Sequence, residues 1–287
     1  MARQRADLAL VAAGHFPSQD AAARAILAGL LRAEGTGDES PLKPGSLVPD
    51  DVTFAVTQRK RYVSRGGDKL AGALRDFSYD PSGVRALDAG ASTGGFTDCL
   101  LQHGASSVAA ADVGYGQLAW SLQSDPRVTV FDRTNIRNVS PDELGGPFDL
   151  VVADLSFISL SAVLPSLAQQ LCRGGNLVVL VKPQFEADRG LGDRGVVTDA
   201  QVHEDVLSGA TQSIVRAGLV VRGVTYSPIA GPDGNIEFWI WAVKPTSTPP
   251  ADLSPGAPDG PLLSGSDLMG AIRSAVQGAH EKLRGSA

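Results

Sequence analysis

The apolar β-forming run Leu177–Val181 stops on Lys182, so an amine stands at the carboxyl end of a strand that reads as buried on both faces. An ammonium there must be paired or put to use, because leaving it desolvated is costly. Pattern places three more charged side chains at the same rim. Asp154 closes the run 148–155, Glu237 opens the run 237–243, and Lys69, in "RYVSRGGDKL" at 61–70, is expected just ahead of the domain's first helix, leaning over the same edge. Ligands of open parallel sheets bind beyond the carboxyl ends of the strands, and a last strand running antiparallel starts at that same edge. Each charge alone suits an ordinary ion pair. Two amines and two carboxylates converging on one rim suit positioning and proton-transfer chemistry.

The elements that would carry these residues alternate between β and helical patterns from about 61 to 245. Strands are expected at 85–90, 106–113, 127–132, 148–155 and 176–183, then at 219–227 and 237–243. The short "GPDGN" between the last two implies an antiparallel hairpin at the sheet edge. Five parallel strands closed by a hairpin resemble the layout of the Rossmann-like S-adenosylmethionine (SAM) methyltransferases. The fold class expected is therefore α/β with a smaller α+β domain at the N-terminus.

"ALDAGASTGGFTDCLL" places Asp88 at the end of the first strand and opens a turn with Gly90, Gly94 and Gly95 into a helix. Glycines there let backbone N–H groups and a helix N-terminus approach a ligand closely. The spacing G-x-x-x-G-G leans away from a dinucleotide site. Asp112, at the end of the second strand, can accept from ribose hydroxyls, and Asp132, at the end of the third, can meet an adenine edge. SAM is the cofactor expected, held by Asp88, Gly90, Ser92, Gly94, Gly95, Phe96, Asp112, Val113, Asp132 and Asp154.

Residues 1–60 read as two short helices broken at Gly14 to Pro17, the second capped by Ser18, followed by short strands at 30–35 and 47–56 around a turn at Lys43, Pro44 and Gly45. "RAD" at 5–7, "ARAILAGLL" at 23–31 and "KPG" at 43–45 resemble the small RNA-binding fold named after ribosomal protein S-four. That resemblance implies RNA contacts by Arg3, Arg5, Arg24, Arg32 and Lys43. Ala13 and Gln19 depart from the arginines of many relatives, which would thin the phosphate contacts. A basic linker over 61–67 follows. Arg59, Lys60, Arg61 and Arg65 crowd it, Tyr62 is expected to stack on a base, and Gly66 and Gly67 are expected to let it hinge. The methyltransferase domain is set at 68–245. Pro-, Ser- and Gly-rich residues 246–265 read as a disordered linker, and 266–287 as a tail with a marginal helix capped by Ser266.

Net charge is −6, so RNA binding must rest on a local basic patch. Cys99 and Cys172 make neither a disulfide framework nor a metal pattern, and no metal is expected. No apolar run approaches the roughly 20 residues of a membrane helix, and no signal-peptide pattern opens the chain, so a cytoplasmic protein without a membrane partner is expected. Methylation at pyrimidine carbon-5 needs a cysteine nucleophile at the rim, and neither cysteine stands there.

The tetrad Lys69, Asp154, Lys182 and Glu237 on this fold resembles the FtsJ-type RNA 2′-O-methyltransferases. Together with the N-terminal motifs, "DAGASTGGFTD", "ADLSFISL" and "KPQFE" resemble the TlyA (hemolysin A) family over about residues 3 to 245. The resemblance implies SAM-dependent methylation of cytidine 2′-hydroxyls in ribosomal RNA of the small and large subunits, or of the large alone. Ribosomal RNA or ribosomal subunits would then be the partner, and the four charged residues the catalytic set. Competing readings are an RNA-binding assembly factor without catalysis and a membrane-active haemolysin.

Overall fold

The computed structural model describes residues 3–27, 31–34, 42–56, 61–187, 195–246, 263 and 265–284. The expected contacts of Arg59 and Lys60, and most of the expected disordered linker, lie outside these residues. The chain forms two compact units, Met1–Arg61 and Tyr62–Ala287.

The first unit holds β1 (Arg3–Arg5), α1 (Ala6–Ala12), α2 (Gln19–Leu27), β2 (Leu31–Glu34), β3 (Leu47–Pro49) and β4 (Thr53–Val56). Ser18 Oγ accepts from the Ala21 N–H at 3.3 Å, which fits its reading as a cap. The segment expected as one strand, 47–56, is two. β3 pairs with β1 and β4 with β2, both antiparallel. Alternating side chains from both pairs and the apolar faces of α1 and α2 bury Ala6, Leu10, Ala22, Ile26, Leu31 and Val48. Two sequence motifs meet here: the N–H groups of Ala6 and Asp7 donate to the carbonyls of Ser46 and Pro44 at 2.8 and 3.2 Å.

The second unit begins with α3 (Arg65–Asp76) and builds its sheet from β5 (Arg85–Ala89), β6 (Ser107–Ala111), β7 (Val128–Phe131), β8 (Phe148–Ala153), β9 (Leu171–Val181), β10 (Val220–Tyr226) and β11 (Phe238–Val243). Its order is β10-β11-β9-β8-β5-β6-β7. The five strands β5 to β9 are parallel and β11 is antiparallel to β9 and β10, as the hairpin sequence implies. The helices are α4 (Gly95–Gln102), α5 (Trp120–Gln123), α6 (Leu164–Gln170), α7 (Pro183–Glu186), α8 (Ala200–Arg216) and α9 (Gly265–Arg284). Strand alternation divides the core in two. Val179, Val181, Phe238 and Ile240 join the α6, α8 and α9 face. Val178, Leu180 and Trp239 join the face that carries Leu70, Ala73 and Leu100 of α3 and α4. Each such side chain contributes about 1.5–3 kcal/mol on burial.

Three expectations are corrected. Lys69 lies inside α3, not ahead of the first helix. Gly66 and Gly67 also lie in α3, inside a helix and not in a hinge, and Gly67 is tightly packed. A Cβ on Gly67 would overlap the Tyr62 ring, and one on Gly95 would stand 2.9 Å from Gly67 N. The C-terminal helix is no marginal appendage. Helix α9 is 20 residues long, and Ile272, Ala275, Val276 and Ala279 are buried in the core against β10 and α8. It starts at Gly265, one residue before the expected cap. Buried His203 of α8 meets His280 of α9 at 3.0 Å, Nδ1 to Nε2.

Candidate active site

Lys182 follows directly on β9, where Pro183 starts the single turn α7. Its Nζ lies 2.5 Å from Asp154 Oδ1, just past the end of β8, and donates to Ser156 Oγ at 2.8 Å. Lys69 reaches Glu237, the residue before β11, at 2.5 Å from Nζ to Oε2. The expected tetrad is therefore two ion pairs at one edge of the sheet. The Lys69–Glu237 pair is the deeper, with side chains 8% and 1% exposed against 11% and 23% for Lys182 and Asp154. Burial pushes the Glu237 carboxyl above its usual range. Lys69 opposes this, the Asp154 charge adds to it, and Lys182 opposes it. The two pairs thus feel one another.

The cofactor loop follows β5. Asp88 is fully buried, and its Oδ2 accepts from the Thr97 N–H and hydroxyl at 2.9 and 2.7 Å. It braces the start of α4 and is withdrawn from solvent. Its Oδ1 has no hydrogen-bond partner among the described residues, and burial pushes its carboxyl up to about 7. Phe96 is also withdrawn. It is buried against Trp239, ring centroids 5.4 Å apart, so its expected place on the cofactor is taken by core packing. Asp112 ties two loops together, accepting from Ser92 N–H at 2.8 Å and from Gly114 N–H at 2.6 Å. Asp132 accepts from Gly116 N–H at 3.1 Å.

Both acids remain partly exposed beside Val113, which is 70% exposed. A Cβ on Gly90 would stand 2.6 Å from the Asp154 carbonyl oxygen, so only glycine lets this loop lie so close to the β8 end. Carboxylates past the ends of three strands, a glycine turn and a helix N-terminus at Gly95 fit SAM, which brings ribose hydroxyls, an ammonium and a carboxylate. Asp112, Asp132, Asp154 and the Gly90–Gly95 backbone would hold it.

The expected RNA contacts fare unevenly. Arg3, Arg24, Lys43 and Arg61 are exposed. Arg5 is tied to buried Asp7 at 2.7 Å, where Gln19 also donates, and Arg32 lies 3.9 Å from Glu34. Arg65 donates to the Ala230 carbonyl at 2.5 Å. Tyr62 is only 2% exposed, enclosed by Gly67 and stacked near His103, so it has no free face for a base. The aromatic residue in a basic run is a core residue.

Sequence reasoning passed over Ser156, although "ADLSF" was in view; its role depends on Lys182 folding back 26 positions in sequence. It also passed over the Arg133 guanidinium, 4.4 Å above the Tyr115 ring, which no spacing rule signals.

The FtsJ-like methyltransferase family model matches residues 62–244. The chain is 48% identical, over 83% of its length and 89% of the relative's, to the 16S/23S rRNA (cytidine-2′-O)-methyltransferase TlyA of Mycobacterium tuberculosis. A solved structure named as a hemolysin from Streptococcus thermophilus superposes with a TM-score of 0.71 at 38% identity, covering 100% of this chain and 98% of that one. A second such structure, from Lactococcus lactis, gives 0.66 at 39% identity, covering 76% and 98%. The Streptococcus match includes the C-terminal helix, for which the sequence motifs offered no counterpart. The chain thus belongs to the TlyA family of rRNA methyltransferases, with an FtsJ-like catalytic domain.

Proposed function

We propose that this chain transfers the methyl group of SAM to the 2′-hydroxyl of a cytidine in ribosomal RNA, in the small subunit, the large subunit or both, where ribosomal subunits are assembled in the cytoplasm. The M. tuberculosis relative carries that activity in its name. The single observation that carries the reading is Lys182 at the end of β9, 2.5 Å from Asp154, whose own backbone lies against Gly90 of the glycine loop.

SAM supplies an electrophilic methyl group on a sulfonium. A ribose hydroxyl is a weak nucleophile, so catalysis rests on holding its oxygen in line with that methyl. Paired with Asp154, Lys182 presents an N–H toward the oxygen and fixes its position, while Ser156 steadies the amine. As the methyl group is transferred the 2′-hydroxyl would lose its proton, and the Asp154 carboxylate beside Lys182 would accept it. Lys69 and Glu237 form a second, more deeply buried pair whose carboxylate feels the charges of the first.

The test is methyl transfer from labelled SAM to unmethylated ribosomal subunits, with the modified nucleotide mapped. Label in a cytidine 2′-O-methyl, reduced about 100-fold or more in Lys182→Ala, is the expected result. Equal labelling by both proteins would remove Lys182 from the reaction. SAM binding without labelling of either subunit would mean that the substrate is another RNA.

A further inference from the structure

Glu237 is reached through the turn 227–235 that joins β10 to β11, and this turn is closely fastened. The Ser227 N–H donates to the Glu237 carbonyl at 2.8 Å, and the Gly231 N–H to the Asn235 carbonyl at 2.9 Å. A Cβ on Gly231 would stand 2.8 Å from Glu237 Oε1, so the turn backbone lies directly against the carboxylate. Asn235, two residues before Glu237, is 1% exposed and aims its amide at a different segment. Its Oδ1 accepts from the Val197 N–H at 3.0 Å, and its Nδ2 donates to the Gly195 carbonyl at 3.0 Å. Gly195–Val197 is the far end of the stretch that leaves Lys182 and leads into α8. One buried amide therefore joins the chain leading to Glu237 to the chain leading away from Lys182.

Nothing in the ion pairs themselves fixes the distance of one pair from the other. The carboxylate of Glu237 sits at the end of a strand whose preceding residues are turn. Without a clasp the turn can shift by the ångström or so that positioning chemistry does not tolerate. An asparagine suits this duty because it offers an acceptor and a donor to adjacent backbone groups and carries no charge into a site already holding four.

We propose that Asn235 is a positioning residue for methyl transfer: its amide clasps the Gly195–Val197 backbone to the turn that seats Glu237, and so holds the Glu237 carboxylate in place on Lys69. This rests on the reading of Glu237 as part of the reaction site, and the experiment separates the two.

The full-length protein is assayed with labelled SAM and ribosomal subunits as wild type, Asn235→Ala, Glu237→Gln and the double variant. Asn235→Ala is expected to lower kcat about tenfold or more while KM for SAM changes by less than about threefold. The double variant is expected to be no slower than Glu237→Gln alone, within about twofold, because a clasp has nothing left to position once its carboxylate is gone. A merely structural asparagine would leave kcat near wild type in the folded fraction, or would multiply its loss with that of Glu237→Gln. Either result overturns the proposal. Should Asn235→Ala fail to melt cooperatively, Asn235→Ser, which adds no charge but leaves one hydroxyl where the amide offered both an acceptor and a donor, enters the same cycle with the same criterion. Wild-type kcat in Glu237→Gln would remove Glu237 from the reaction and the proposal with it. Loss in that variant with multiplicative doubles would remove the proposal alone.

Discussion

Lys69 and Lys182 each meet a carboxylate at 2.5 Å, yet burial makes the two pairs unequal partners. Removing one member of a buried pair strands the other charge and costs about 3–5 kcal/mol, and a less deeply buried partner is stranded at a lower cost. Lys69→Met is therefore expected to lower the melting temperature by several degrees as well as activity, and Lys182→Met to lower activity with a smaller fall in melting temperature. Thermal denaturation beside the methylation assay checks this, and equal destabilisation would contradict the ranking. Asp88 supports a pH prediction. Its folded-state carboxyl is held up to about 7 while an unfolded one titrates near 3.8. Between those values the folded state binds more protons than the unfolded, so this group's contribution to stability falls as pH rises from about 4 to about 7. Asp88→Asn, which still accepts from Thr97, is expected to melt higher than wild type at pH 8, with the gap closing toward pH 5. A gap that does not change with pH would show that Asp88 is not the group. The four charged residues and the strand-end acids were legible because a charge interrupting a buried strand pattern has few uses. Tyr62 and Phe96 were misread because an aromatic beside arginine or glycine looks the same in sequence whether its face is free or covered.

Helix α3 carries Lys69 and presses its first turn on both Tyr62 and the start of α4, so its seat decides where one amine stands. Gly67→Ala would drive a methyl into the Tyr62 ring. Overpacking of this kind costs about 1–3 kcal/mol, and relief here requires α3 to move. The expected outcome is reduced stability together with weaker SAM binding by calorimetry, because Gly95 at the head of the cofactor loop packs on the same turn. Unchanged SAM affinity would mean that α3 adjusts without disturbing the loop. Strand positions such as Leu177–Val181 and 238–243 were readable from their periodicity, and the antiparallel end from a turn too short for a crossover. Helix α9 was underestimated because Ile272, Val276 and Ala279 make a thin stripe whose worth depends on finding β10 and α8 already in place. The break of 47–56 into two strands escaped notice for a related reason: β3 exists only because β1 pairs with it.

At the scale of the whole molecule, a chain of net charge −6 must bind an anionic polymer through a few cations that are not already spent. In the first unit Arg5 is committed to Asp7, and Arg32 has Glu34 within 3.9 Å. Arg24 and Lys43 are exposed and have no ion-pair partner among the described residues. If this unit brings the enzyme to ribosomal RNA, these two side chains, with exposed Arg3, carry a disproportionate share of the phosphate contacts. Each phosphate neutralised adds about 0.7–0.9 to the slope of log affinity against log salt, so their loss has a readable signature. Arg24→Glu with Lys43→Glu, made in the full chain, is expected to weaken subunit binding about tenfold or more at 0.1 M salt and to flatten that slope by about 1.5–2. SAM affinity should not move, since the cofactor residues all belong to the second unit. Methylation should recover when subunit concentration is raised, because what has been lost is encounter and docking, not the alignment of the hydroxyl with the methyl group. A double variant that binds subunits with wild-type affinity and slope would show that these cations do not meet the RNA.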